Sequence, residues 1–199
     1  MIDIVFDLGG VLIDWNPRYL YKKIFASTEE MEWFLSNVCT PEWNARQDAG
    51  RPFAEALALV TEKYPKYAAQ INDYYARWEE TLGGPIKGTV ALWQELKNKG
   101  CHIYALTNWS AETFPIAKQK YDFLQKMDGI VVSGEEKMNK PNPEIYKRLL
   151  ARYGLQANNC VYIDDSLPNV EAAVQLGFDA IHFVSPEVLR LELLKRGLL

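Results

Sequence analysis

Five short stretches of the chain are apolar almost without a break: IDIVF (2–6), HIYALT (102–107), GIVVS (129–133), CVYID (160–164) and DAIHFV (179–184). Unbroken runs of this length suit strands buried on both faces, as in a parallel sheet, better than the alternation of a half-exposed one. Patterns of helical length lie between them. TVALWQELKNKG presents Leu92 and Leu96 and stops at Gly100, and NPEIYKRLLARYG presents Ile145 and Leu149 and stops at Gly154. SLPNVEAAVQLGF opens on a serine turn and ends at Gly177. Strand and helix in alternation predict an α/β fold with a doubly wound, Rossmann-like parallel sheet.

One interval departs from the alternation. From Asp14 to Gly84 no strand pattern occurs, while helical periodicity recurs in RYLYKKIF, TEEMEWFLSNV, FAEALALVTEKY and AAQINDYYARWEETL. Gly83-Gly84-Pro85 punctuates the return to the sheet. The expectation is a core domain of residues 1–13 plus 86–199, with residues 14–85 inserted as a small helical bundle. LRLELLKRGLL at the C-terminus reads as an amphipathic helix that packs on the core or on a partner, and the pattern does not choose between monomer and dimer.

Composition narrows the classes. A net charge of −4 without any run of Lys or Arg argues against a nucleic-acid surface. No stretch approaches the roughly 20 apolar residues of a membrane helix, and MIDIVFDLGG lacks the basic start of a secretory signal, so a cytoplasmic protein is expected. Cys39, Cys101 and Cys160 are odd in number and contain no CxxC pair, which favours reduced, buried thiols. His102 and His182 both neighbour strands, a poor basis for a histidine zinc site or a Ser-His-Asp triad.

Ligand sites of open α/β sheets form at the carboxyl ends of the strands. Asp7-Leu8-Gly9-Gly10 follows the first strand, Thr107-Asn108-Trp109-Ser110 the second, Ser133 to Lys140 the third, and Asp164-Asp165-Ser166 the fourth. Each residue alone has an ordinary explanation as a turn, a helix cap or a solvated charge. The set in this order suits phosphoryl transfer. Asp7 and Asp165 can hold a hard cation such as Mg²⁺, and an aspartate carboxylate can attack phosphorus to give an acyl phosphate. Backbone N–H groups near Gly10 can approach phosphate oxygens without a Cβ in the way. Thr107 can donate to the transferring group, and Lys140 offsets the charge that a phosphate brings among carboxylates.

The order Asp7-x-Gly-Gly-Val, Thr107-Asn108, Lys140-Pro and Asp164-Asp165-Ser resembles the four motifs of the haloacid dehalogenase superfamily over essentially the whole chain. The resemblance implies a type-1 helical cap over the active site. It also implies Asp7 as nucleophile, with Thr107, Asn108 and Lys140 as further catalytic residues. Mg²⁺ would be held by Asp7, the Gly9 carbonyl and Asp165, with Asp164 as a secondary metal-site acid. Asn169 stands where many members carry another Asp.

Gly9 departs from the family. Most of its phosphatases have a second Asp there, a general acid whose help is typically worth about 10² to 10⁴ in rate. The leading expectation is a Mg²⁺-dependent phosphatase of a small phosphorylated metabolite, such as a sugar phosphate, that draws its proton from water, Asp14 or a cap residue. The chain is similar to the branch with glucose-1-phosphate phosphatases, whose first motif also reads Asp-Leu-Gly. A 2-haloacid dehalogenase and a catalytically impaired phospho-ligand-binding protein are the alternatives. For substrate contacts the candidates are Gly10, Arg18, Trp43, Arg46 and Trp109, with Trp15, Asn16 and Asn44 beside them, while Trp33 and Trp78 are expected to pack.

Overall fold

A computed structural model describes residues 2–199. The first strand, β1 (Asp3–Phe6), is followed by the short β2 (Ile13–Trp15) and then by five helices: α1 (Arg18–Tyr21), α2 (Thr28–Asn37), α3 (Pro41–Asp48), α4 (Phe53–Lys63) and α5 (Ala68–Ala76). After β3 (Leu82–Pro85) and α6 (Lys87–Asn98), the chain continues through β4 (Ile103–Thr107), α7 (Phe114–Lys120), α8 (Asp122–Gln125) and β5 (Gly129–Val132). The remainder runs α9 (Ser133–Glu136), α10 (Pro143–Tyr153), β6 (Cys160–Asp164), α11 (Leu167–Gln175), β7 (Asp179–His182) and α12 (Pro186–Lys195).

Five strands form one parallel sheet in the order β5-β4-β1-β6-β7. The apolar runs enter it because neighbouring residues face opposite sides and both sides are covered. Ile4 and Phe6 join Leu92, Leu96, Leu189 and Leu193 of α6 and α12 in one core cluster, whereas Val5 joins Ile145, Tyr146, Leu149 and Ala173 of α10 and α11 in another. Connections from β1 proceed outward through β4 to β5, then cross to β6 and β7 on the other side. The order therefore reverses beside β1, where the crevice of a doubly wound sheet opens.

The helices between β2 and β3 have their own core, in which Leu20, Tyr21, Phe34, Val60, Ile71 and Tyr74 are buried together. Two features of this interval lie outside the expected pattern. β2 and β3 pair as an antiparallel ribbon at the two chain crossings, with Asp14 opposite Gly84. Helix α3 arises in PEWNARQD, which has no apolar stripe; Thr40 caps it by accepting from the Trp43 N–H at 3.1 Å, and Pro41 supplies a preset first turn. Among the described residues no helix is long and apolar enough to cross a membrane.

Candidate active site

The parallel sheet brings Asp7, Thr107, Lys140 and Asp164 to one rim because each stands at or just beyond the carboxyl end of β1, β4, β5 or β6. Lys140 is the hub. Its buried Nζ lies 3.0 Å from Asp7 Oδ1 and 2.7 Å from Asp164 Oδ2, and donates at 2.8 Å to the Leu106 carbonyl, which accounts for all three ammonium protons. Burial alone would lower the lysine pKa; the attraction of Asp7 and Asp164 outweighs it, and the ammonium is held above its ordinary value. Asp7 Oδ1 also accepts from the Leu8 N–H at 2.7 Å. Burial raises the Asp7 pKa to about 7, against the pull of Lys140 and with added repulsion from Asp164 and Asp165.

Asp164 takes protein donors on both oxygens. Lys140 and the Tyr162 hydroxyl reach Oδ2, while the Ser166 N–H at 2.8 Å and Asn169 Nδ2 at 3.0 Å reach Oδ1. Its geometry is that of an anchor for Lys140 and for the turn into α11, a role beside that of the secondary metal-site acid expected from the sequence. Asn169, at the position where an additional acid was the family pattern, completes that anchor. Asn108 is likewise committed: its amide accepts from the Lys140 N–H at 2.8 Å and donates to the Lys140 carbonyl at 3.0 Å. It positions the lysine backbone across two strand ends.

Thr107 differs from all of these. It is fully buried, and its hydroxyl has no hydrogen-bond partner among the described residues. An unpaired buried hydroxyl is costly, and one standing at the strand rim is free to donate to a ligand there. Asp165 is exposed at the edge of the rim but its carboxyl is partly desolvated by the neighbouring turn; that desolvation first, then Asp164, raises its pKa. Gly10, at φ +74°, lets its carboxylate close over the turn after β1, because a Cβ there would collide with it. One oxygen each from Asp7, Asp164 and Asp165 lies within 4.8 Å of the others. A wholly oxygen donor set of this kind fits a hard divalent cation.

Beside this rim opens a cleft of about 90 Å³, lined by Gly9, Trp15, Asn44, Asp48, Tyr75, Trp78, Asn108, Trp109, Ser110 and Thr113. Trp109 stands in its wall, its indole N–H donating to Thr113 Oγ1 at 3.1 Å and its ring 5.7 Å from that of Trp78. Trp78 thus lines the cleft as well as packing. Five of the expected contacts, Gly10, Asn16, Arg18, Trp43 and Arg46, are absent from the lining. Arg18 is turned onto Glu32 by two bonds of 2.6 Å, Arg46 is exposed, and Trp43 packs against Tyr74 and Tyr75 in the helical core. Trp33 packs, half exposed, against Tyr64 and Tyr67. Asp48, Tyr75 and Thr113 carry no signal in the apolar pattern; only the acid before the Ala49-Gly50 turn hints at Asp48.

A family model described as haloacid dehalogenase-like hydrolase matches residues 4–177. Among curated proteins the chain is similar to a sesquiterpene phosphatase of Aspergillus oryzae, 28% identical with 89% of this chain and 87% of the relative covered. It is also similar to a phosphorylated carbohydrates phosphatase of Thermotoga maritima, 23% identical over 91% of this chain and 84% of that protein. Among solved structures, a family enzyme of Bacteroides thetaiotaomicron superposes with a TM-score of 0.70 at 25% identity, covering 93% of this chain and 94% of its own. The same enzyme has been crystallised as a magnesium complex.

Proposed function

The chain belongs to the haloacid dehalogenase-like hydrolases, and from that premise we propose that it is a Mg²⁺-dependent phosphate-monoester hydrolase acting on a small phosphorylated metabolite. The observation that carries this reading is the Asp7–Lys140–Asp164 cluster beside the unpartnered Thr107 hydroxyl. A carboxylate, a cation and a free buried donor at one rim suit an anionic group that must be attacked.

In this reading Asp7 attacks phosphorus. The bond from its carboxylate oxygen forms as the bond to the leaving alcohol oxygen breaks, and water then hydrolyses the aspartyl phosphate. Lys140 holds Asp7 in line and balances the charge of the phosphoryl group; Thr107 donates to a phosphoryl oxygen. Asp164 and Asn108 fix Lys140 from its side chain and its backbone. Asp7, the Gly9 carbonyl and Asp165 would hold Mg²⁺, which when bound neutralises phosphoryl charge and lowers the pKa of Asp7. The helices of residues 14–85 act as a cap that closes the cleft and excludes water.

The leaving group we favour is a sugar. Trp15, Tyr75, Trp78 and Trp109 offer ring faces, while Asn44, Asn108, Ser110 and Thr113 offer hydrogen bonds to hydroxyl edges; the likeness to the carbohydrate phosphatase supports this. Four aromatic walls without a cation among the lining residues also suit an apolar alcohol, a second reading that the sesquiterpene phosphatase supports. Phosphate release from sugar phosphates and a prenyl phosphate, with Mg²⁺ and with chelator, tests both. Metal-dependent turnover by wild type and its loss in Asp7→Asn are expected. Silence across the panel, with halide release from 2-haloacids instead, would overturn the phosphatase reading.

A further inference from the structure

A phosphatase with Asp7 as nucleophile has one unmet need. The departing alkoxide requires a proton, and Gly9 has no side chain to give it. A Cβ built at Gly9 meets nothing within 4 Å, so the place of the missing side chain is open cleft. Asp14, the nearest acid in sequence beyond the turn, does not fill the need. It accepts the Tyr19 hydroxyl at 2.7 Å, crowds against Gly83 and is absent from the cleft lining. Of the side chains that line the cleft with Gly9, only Asp48 is a carboxylic acid.

Asp48 is held from two directions. Its backbone carbonyl accepts the hydroxyl of Ser133, the first residue of α9, and that hydroxyl oxygen accepts the Trp109 N–H at 2.9 Å. Asn139 donates to the Ala45 carbonyl, three residues earlier in α3. The end of α3 is thereby pinned against the loops after β4 and β5. On the side chain, Asn44 Nδ2 donates to Oδ2 at 3.0 Å. A chain of neutral groups stands behind it: Tyr75 donates to Asn44 at 3.3 Å, Gln47 donates to Tyr75 at 2.9 Å, and Arg51 donates to Gln47 at 2.8 Å.

Three residues, Gln47, Tyr75 and Asn44, therefore separate the guanidinium from the carboxyl along this chain. No Lys, Arg or His forms an ion pair with Asp48 among the described residues; Arg46, two residues before it, and Lys137, whose stem lies beside Gly50, are both exposed. Tyr74 and Tyr75, which face it from α5, are neutral, their pKa values pushed up by burial. Burial raises Asp48 itself to about 7, offset in part by a hydrogen bond from the Ser110 N–H. An acid in that range is well matched to proton transfer near neutral pH.

We infer that Asp48 is the general acid of this enzyme, delivering from the cap the proton that the residue at position 9 cannot deliver from the core. The inference rests on the phosphatase reading above. As Asp7 bonds to phosphorus and the phosphorus–alcohol bond breaks, the electron pair of that bond passes to the leaving oxygen, which takes the Asp48 proton and departs as the alcohol. The Asp48 carboxylate then accepts a proton from the water that attacks the aspartyl phosphate. Phosphate leaves, Asp7 is ionised again and Asp48 is again protonated, so one ester and one water give one alcohol and one phosphate.

The test is the dependence on leaving group, measured for wild type and Asp48→Asn with Mg²⁺ present. A sugar 6-phosphate releases a basic alkoxide that needs the proton; p-nitrophenyl phosphate releases a stable anion that does not. For Asp48→Asn we expect kcat/KM on the sugar ester to fall by about 10² to 10⁴, with a change of less than about threefold on the aryl ester. Retained aryl-ester turnover also reports that the variant is folded. Equal losses on both esters, or no loss on either, would overturn the role of Asp48 while leaving the phosphatase standing. Wild type active only on the aryl ester would do the same. Wild type inactive on both would remove the phosphatase reading, and the role of Asp48 with it.

Discussion

Thr107 allows stability and activity to be set against each other in one substitution. Its hydroxyl is buried without a partner among the described residues, and valine has nearly the same shape with a methyl in that place. Leaving a buried hydroxyl unpaired costs about 1–3 kcal/mol, so Thr107→Val should stabilise the ligand-free protein by that order. For a chain of this size the gain corresponds to a rise in Tm of about 2–12 °C. Activity should move the other way. Loss of one donor to a developing anion typically lowers kcat by about 10² to 10³. The assay pairs thermal unfolding in chelator with phosphate release in Mg²⁺. Thr107→Ser is the control: it keeps the donor, so turnover stays close to wild type, but it loses a buried methyl worth about 1 kcal/mol. A lower Tm for Thr107→Val would mean that the hydroxyl is satisfied within the fold. An unchanged kcat/KM would mean that it never meets the phosphoryl group. Either result refutes the reasoning.

Two further predictions concern the charges at the rim. Lys140→Met leaves Asp7 and the fully buried Asp164 without their cation; breaking a buried pair costs about 3–5 kcal/mol, so Tm should fall by about 6–20 °C at neutral pH, and a fall within error of zero would refute the hub role. In metal-free protein, Asp7 titrates near 7 in the fold and near 3.8 when unfolded. The unfolded state then loses this proton first, so the Asp7 contribution makes stability decline as pH rises from about 4 to about 7 and level off above. Mg²⁺ competes with that proton, so the metal-induced rise in Tm should be larger at pH 7.5 than at pH 5; equal rises at both would remove Asp7 from the metal site.

The sheet was legible because its physics is local. A strand covered on both faces must be apolar at every position, and IVF in β1 or YALT in β4 admits little else. The ribbon of β2 and β3 was hidden for the converse reason: three residues paired with Leu-Gly-Gly-Pro carry too little pattern to read. Helix α3 was hidden because only Gln47 among its residues is buried. Its place is set by bonds to Ser133 and Asn139 from distant segments, and amphipathicity has no part in it.

The same division runs through the site. Asp7, Thr107, Lys140 and Asp164 could be named from sequence because parallel strands place their carboxyl ends on one side whatever the helices do. Residues of the helical segment could not, since a tryptophan or arginine there faces the cleft or its own bundle according to how helices pack. Arg18 had Glu32 within reach on the surface and Trp43 had Tyr74 and Tyr75 in the helical core, so neither lines the cleft; Trp78 and Asp48 had partners that left them on the wall. In the proposed phosphatase, chemistry common to the family would reside where topology dictates position, and selection of the leaving alcohol where packing does. Substitutions on the strand ends should alter turnover of every ester alike, whereas substitutions at Trp15, Tyr75, Trp78 and Trp109 should reorder esters without abolishing the reaction.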